Sequence, residues 1–262
     1  MDQRREQILD KIAIVTTSWD DGHPCDFRLA DELAQRNLPA TFYVPLTGEG
    51  NKSVLPGEAL RTFRKLGFEI GAHTVSHRIL RGLEQKELSR EVRDSKRMLE
   101  ELLGSEVHMF CYPRGRYDAE VIACVQQSGF EGARTTRMLA HTLNFGRFEM
   151  PTSVQAYPHP PLNYFKNLAN HRDGSGIVRY VQKYLMCQTW IDVGKKLFDE
   201  VLLKGGVWHL YGHSWEIQEL GLWDQLGDLL DYVAHQPGVI YASNGEVVEL
   251  MRRKTPSVAE AA

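Results

Sequence analysis

The sequence predicts an α/β fold with parallel strands, either a barrel or a doubly wound sheet, and two observations carry that expectation. Short apolar, β-branched runs alternate with helix-period segments along most of the 262 residues. The first strand, helix and strand fall within about forty residues, which is the length of a parallel crossover. A chain of this length can bury a large single core.

The run "IAIVTTSWD" (12–20) ends in Asp-Asp-Gly and reads as a buried strand. The next segment, 27–38, has helical spacing through Leu29, Leu33 and Ala34, with Asp26 as its expected N-cap. "PATFYVPL" (39–46) is again strand-like. Helices are expected over 57–67, 85–104, 119–129, 189–206 and 221–238, and strands over 68–74, 107–115, 206–214 and 239–243. Residues 155–186 break the rhythm with prolines, aromatics and Gly-Ser-Gly. They are expected to be an insertion or lid with one or two helices, or a subunit contact. Residues 1–254 are thus one domain, and the tail 255–262 is expected to fray.

Composition narrows the class of function. The net charge is −3 without a dense basic run, which argues against nucleic acid as a partner. No apolar window reaches the length of a transmembrane segment, and the polar N-terminus shows no secretory pattern, so a cytoplasmic location is expected. Cys25, Cys111, Cys124 and Cys187 lack CxxC spacing and read as reduced thiols. A small-molecule or glycan substrate fits, and a homo-oligomer remains open.

In barrels of parallel strands, chemistry gathers at the C-terminal strand ends. Four expected ends hold suitable groups: Asp20 and Asp21; His73 with His77 four residues on; "CYPRG" (111–115); and His209, Tyr211 and His213 in "WHLYGHS". If the chain turns helical after Gly71, the two imidazoles at i and i+4 share one face. Two histidines and one carboxylate are a catalytic zinc set with open positions. A cation also offsets repulsion between the paired aspartates: one can coordinate, and the other can take a proton from water acidified by the ion. A strand-end histidine can serve as the acid for a departing nitrogen.

In this order the pieces resemble the polysaccharide deacetylase family, carbohydrate esterase family 4, the NodB-homology domain. "TTSWDDG" (16–22), "HTVSH" (73–77) and "FCYPRG" (110–115) match its first three motifs, and a late strand-end histidine completes the set. The resemblance implies a distorted (β/α)7-type barrel and metal-dependent removal of an N-acyl group, acetyl foremost, from an amino sugar or glycoconjugate. It implies Asp20 as base, with Asp21, His73 and His77 as ligands to zinc, or to cobalt, nickel or iron. His213 is the implied acid, and His209 its understudy. Tyr112, Pro113, Arg114, Gly115, Tyr117, Arg134 and Trp215 are the expected substrate-binding residues, with backbone from Pro113 to Tyr117 helping the oxyanion. Two departures stand out: the aspartate and tryptophan of the family's fourth motif are not evident, and the third motif lacks its arginine. Cys111 occupies the register where many members place an arginine that orients the base, and Arg114 or Arg134 are the candidates to replace it. That departure keeps open hydrolysis of a non-sugar linear or cyclic amide. A non-catalytic glycan-binding barrel, using Trp19, Tyr112, Trp208, Trp215 and Trp223 as stacking surfaces, is a further alternative.

Overall fold

The computed structural model describes residues 12–48 and 54–254. The fraying expected of 255–262 lies outside the described residues. Among the described residues, eight strands make one parallel sheet: β1 (Ala13–Asp20), β2 (Thr41–Val44), β3 (Glu69–Ala72), β4 (Met109–Cys111), β5 (Gly132–Arg134), β6 (Val154–Gln155), β7 (Gly206–Gly212) and β8 (Val239–Tyr241). Their order is β5-β4-β3-β2-β1-β7-β6, and β8 pairs with the beginning of β1. The helices are α1 (Asp26–Ala34), α2 (Gly57–Lys65), α3 (Gln85–Ser89), α4 (Ser95–Leu103), α5 (Ala119–Gln127), α6 (Pro161–Asn170), α7 (Gly174–Arg179), α8 (Trp190–Lys204), α9 (Ser214–Glu219), α10 (Trp223–Val233) and α11 (Asn244–Lys254). The alternation read from the sequence is borne out.

All eight residues of β1 are buried, because β7 pairs along its length while β8 and β2 divide its other edge. A strand enclosed in this way needs the continuous β-branched run that it has. The sheet curls on itself. Met150 bridges Arg134 at the end of β5, the Thr135 N–H donates to the Met150 carbonyl (2.8 Å), and the Ser153 N–H reaches the His209 carbonyl on β7 (2.8 Å). The stretch from Met150 to β6 thus spans the gap between the two ends of the sheet. Inside the curl lies a polar strut. The Asn244 side chain donates to Thr16 Oγ1 and accepts from the Tyr43 hydroxyl, both at 2.9 Å, and its backbone N–H donates to Thr41 Oγ1 (2.9 Å).

Two strands escape the pattern reading. β5 and β6 have three and two residues, contain Gly132, Arg134 and Gln155, and show no apolar run to detect. The expected N-cap of α1 is corrected too. Cys25 holds that position, while Asp26 lies within the first turn with its carboxyl buried and neither oxygen hydrogen-bonded. Elsewhere caps behave as expected: Asp118 accepts from the Val121 N–H, and Thr189 with Asp192 forms a capping box on α8. The irregular stretch folds into α6, α7 and a π-helical turn at Tyr180–Tyr184.

Candidate active site

Parallel strands deliver their C-terminal ends to one rim. β1 ends in Asp20, followed by Asp21, and β3 is followed by His73. β4 ends in Cys111, β5 in Arg134, and β7 leads into His213. A cavity of about 470 Å³ opens over this rim, and Asp20, Asp21, His73, His77, Tyr211, His213 and Trp215 all line it. Asn163, Lys166, Asn167 and Asn170 of α6 form the facing wall.

Asp21, His73 and His77 converge. Asp21 Oδ1 lies 3.9 Å from His73 Nε2 and 3.3 Å from His77 Nε2. Bonds of about 2.0–2.2 Å, as carboxylate and imidazole make to zinc, span such separations. The atoms behind the donors are also arranged for a ligand set. His73 Nδ1–H donates a hydrogen bond to the Cys111 carbonyl (2.8 Å), which leaves Nε2 facing Asp21. Burial above all holds the His73 imidazole near a pKa of about 4, neutral at physiological pH as a metal ligand must be. Trp215 Nε1–H donates to Asp21 Oδ2 (2.9 Å), so Oδ1 is the oxygen turned to the imidazoles. The donor set fits a divalent cation.

The route to this convergence corrects one expectation. Residues 73–77 form a turn rather than a helix, with Thr74 at φ 68° and His77 at φ 57°. Glu91, in the π-helical turn between α3 and α4, dictates it. Its carboxylate accepts from the Val75 and Ser76 N–H groups (3.0 and 2.9 Å) and the Ser76 hydroxyl (2.7 Å), supplying the partners a helix would have given. Asp21 is likewise left-handed, φ 78°, and is followed by Gly22 at φ 59°. A Cβ on Gly22 would come within 2.7 Å of Val44, so this turn requires glycine.

Asp20 is held on its other side. It is 4 % exposed and forms a buried ion pair with Arg134, which donates to Oδ1. Burial alone would raise its pKa, but Arg134, followed by His73 and His213, brings it down to about 2. The guanidinium lies between the rings of Tyr211 (4.9 Å) and Tyr43 (5.2 Å). Cys111 and Arg134 are direct partners across β4 and β5. The cysteine side chain is 3.8 Å from Asp20 Oδ2, leaving room for a guanidinium from the adjacent strand. The arginine missing from "FCYPRG" thus has a counterpart one strand away.

His213 Nε2 lies 4.0 Å from Asp20 Oδ2, while Nδ1–H donates to Glu216 Oε2 (2.6 Å). Burial pulls the imidazole pKa down, but the Glu216 bond and the charges of Asp20 and Asp21 outweigh it and raise it to about 8. His213 is protonated at neutral pH.

Other expected residues are redistributed. His209 belongs to the core, not to the cavity. It is fully buried, 2.8 Å from the Ser18 hydroxyl and 2.9 Å from the Pro151 carbonyl, with its pKa driven to about 3 chiefly by burial. Arg134 is wholly buried on Asp20 and does not line the cavity. Tyr112 and Pro113 are buried as well, and the Tyr112 hydroxyl donates to the Phe148 carbonyl (3.0 Å). Arg114, Gly115 and Tyr117 line a second cavity that adjoins the first. Of the five aromatics considered as glycan platforms, Trp19, Tyr112 and Trp208 are fully buried and Trp223 nearly so. Trp215 alone of the five reaches the cavity. Glu91, Glu216 and the α6 wall were not singled out by sequence reasoning. Glu216 carried a legible signal, three residues after His213 at the start of a helix, whereas Glu91 carried none.

The family model "Polysaccharide deacetylase" matches residues 10–133. A Bacillus subtilis protein named for polysaccharide deacetylation, YxkH, is 25% identical over 142 residues, covering 54% of this chain and 50% of that protein. Chitin deacetylase 1 of Cryptococcus neoformans is 32% identical over 114 residues, 43% of this chain and 23% of that protein. The chain therefore spans about half the length of the first of these relatives and a smaller part of the second. Among solved structures, a Mycobacterium smegmatis protein assigned as a polysaccharide deacetylase aligns with TM-score 0.63 at 16% identity, over 94% of this chain and 92% of its own. The Colletotrichum lindemuthianum chitin deacetylase aligns with TM-score 0.59 at 17% identity, over 91% of this chain and 88% of its own. The fold is the curled α/β barrel of these deacetylases.

Proposed function

We propose that this chain, whose residues 10–133 belong to the polysaccharide deacetylase family, is a metal-dependent hydrolase that removes an N-acyl group, acetyl foremost, from an amino sugar or glycoconjugate. The observation that carries the reading is the meeting of Asp21, His73 and His77 donor atoms beside Asp20, with His213 Nε2 4.0 Å from the Asp20 carboxylate. A bound divalent cation, zinc foremost, supplies Lewis acidity to the acyl carbonyl and acidifies a water. Asp20 has Oδ1 held by Arg134, while Oδ2, with the Cys111 thiol 3.8 Å and His213 Nε2 4.0 Å away, is the oxygen that accepts the proton of the attacking water. Its lowered pKa keeps it ionised for that task. His213, fixed through Nδ1 by Glu216, presents Nε2–H to the departing amine and donates the proton that lets it leave. Trp215 holds Asp21, and Arg134 holds Asp20; both act through the residue that they orient.

The reading of a non-sugar amide hydrolase drew its force from an absent arginine, and Arg134 on Asp20 weakens that argument. A cytoplasmic location is part of the proposal, supported by four free cysteines. Among the described residues, no helix is long and apolar enough to cross a membrane.

The test replaces Asp20 by Asn and measures deacetylation of N-acetylated sugars together with metal content. Turnover should fall by about 10²–10⁴-fold, the usual weight of a general base, with metal retained. Wild-type turnover in a metal-loaded variant would remove Asp20 from the mechanism. Cleavage of cyclic imides or ureides in preference to acetylated sugars would move the substrate class.

A further inference from the structure

The catalytic cavity continues into a second one, of about 360 Å³, and the two share Arg114, Thr136, Asn167 and Asn170. The first end holds the carboxylates and imidazoles. The second is lined by Arg81, Arg114, Arg116 and Arg172, with His171 beside them and no carboxylate in its wall. Four guanidinium groups around one concavity run against the chain's overall charge of −3. Three acids lie nearby, and one of them pairs with a cavity arginine. Asp118 caps α5 and lies 3.8 Å from Arg81, Glu149 accepts from the Tyr117 hydroxyl, and Asp173 caps α7 while lying 3.9 Å from Arg137. Arg116 and Arg172 make no ion pair with a carboxylate among the described residues.

We propose that this second cavity is a phosphate subsite, and that the substrate is an N-acylated amino sugar carrying a phosphoryl or diphosphoryl group. The proposal rests on the hydrolase reading above for the acyl end and on the arginines alone for the anionic end. Planar guanidinium forks match phosphate oxygens in pairs, and several of them exceed what one carboxylate accepts. The shared wall sets the polarity of binding: the amide faces Asp20 and His213, and the phosphate lies beyond Arg114. Arg114 and Arg172 both hold left-handed backbone at φ 54°, a conformation that costs a non-glycine residue free energy, at the two sides of the cavity. A neutral polymer such as chitin offers this cavity hydroxyl and carbonyl oxygens but no charge to match its guanidinium groups.

The test compares kcat/KM of the metal-loaded enzyme on N-acetylglucosamine oligomers, on N-acetylglucosamine 1-phosphate, on a nucleoside-diphosphate derivative, on a polyprenyl-diphosphate derivative and on N-acetylmuramate. Calorimetric binding of glucose 1-phosphate, which has no acyl group to cleave, is measured in parallel. Phosphorylated sugars should be preferred by about tenfold to hundredfold, the range of one or two charge-assisted bonds, chiefly through KM. The preference should shrink at high salt. In an Arg116→Gln, Arg172→Gln double variant, both the preference and glucose 1-phosphate affinity should fall at least about tenfold, while the melting temperature shows the fold intact. The nucleotide and polyprenyl arms decide which carrier supplies the phosphate. Turnover of neutral oligomers equal to or better than the phosphorylated sugars, with no glucose 1-phosphate binding, overturns the subsite and leaves the hydrolase reading standing. Preference for N-acetylmuramate overturns the phosphate assignment. Arginine-dependent binding of glucose 1-phosphate without cleavage of any N-acyl sugar supports the subsite and defeats the hydrolase reading instead.

Discussion

Replacing Arg134 by Gln removes the guanidinium that holds Asp20 and leaves a carboxylate buried without its partner. In the folded protein Asp20 has its pKa lowered from 3.8 to about 2, which corresponds to about 2 kcal/mol of stability at neutral pH. For a depressed carboxylate this stabilisation is present above pH 4 and is lost as pH falls through about 2. In the variant that contribution is lost. Burial, the largest influence on Asp20, is then opposed only by His73 and His213, so the pKa rises from its wild-type value. The variant therefore falls further behind the wild type as pH rises. Breaking a buried pair in this way costs about 3–5 kcal/mol, which at about 2–4 °C per kcal/mol lowers the melting temperature by roughly 10 °C. Thermal melts of metal-free protein from pH 3 to 7 should show the gap between wild type and variant widening towards neutrality. The acid limb of kcat/KM should move upward in the variant, and Arg134→Lys, which restores charge without the planar fork between Tyr43 and Tyr211, should recover part of both effects. A constant melting gap with an unmoved acid limb would refute the idea that Arg134 governs the base.

Two further outcomes follow from the same electrostatics. With His213 at about 8 acting as the acid, kcat/KM should fall about tenfold per unit above that pH; Glu216→Gln removes the carboxylate that raises it, so the falling limb should shift to lower pH, as a pH–rate profile would show. Asp26 is buried with its pKa raised to about 8, chiefly by burial, so the folded state holds a proton that the unfolded chain releases near 3.8. Urea unfolding of metal-free protein should lose up to about 1.4 kcal/mol per pH unit between pH 4 and 8, and Asp26→Asn should flatten that slope.

The sequence displays the parts of this site more readily than their joints. Asp20, Asp21, His73 and His213 are visible because they stand at the ends of strand-like apolar runs, and His77 because it lies four residues beyond His73; parallel strands bring such ends to one rim. The turn that aims His77 is not visible, since its cause is Glu91, a surface-type residue fourteen positions further on with nothing local to mark it. His209 misleads for a related reason. Period-two alternation puts it on the same face as Tyr211 and His213, but depth along a curled sheet decides whether that face meets solvent or the buried Ser18–Pro151–Asn244 contacts. Arg134 shows the limit most clearly. Its role depends on the cross-strand register with Cys111, a pairing between strands joined through α5, and β5 is too short to announce itself.

Anomalous scattering at the zinc edge, from crystals of the protein supplied with zinc, addresses the metal centre most directly. A single peak should lie among Asp21 Oδ1, His73 Nε2 and His77 Nε2, and Asp21→Asn should abolish it. A peak lodged instead among Asp20, His73 and Cys111, the other donor cluster in this rim, would contradict it, as would a zinc-saturated crystal with no peak beside Asp20 at all.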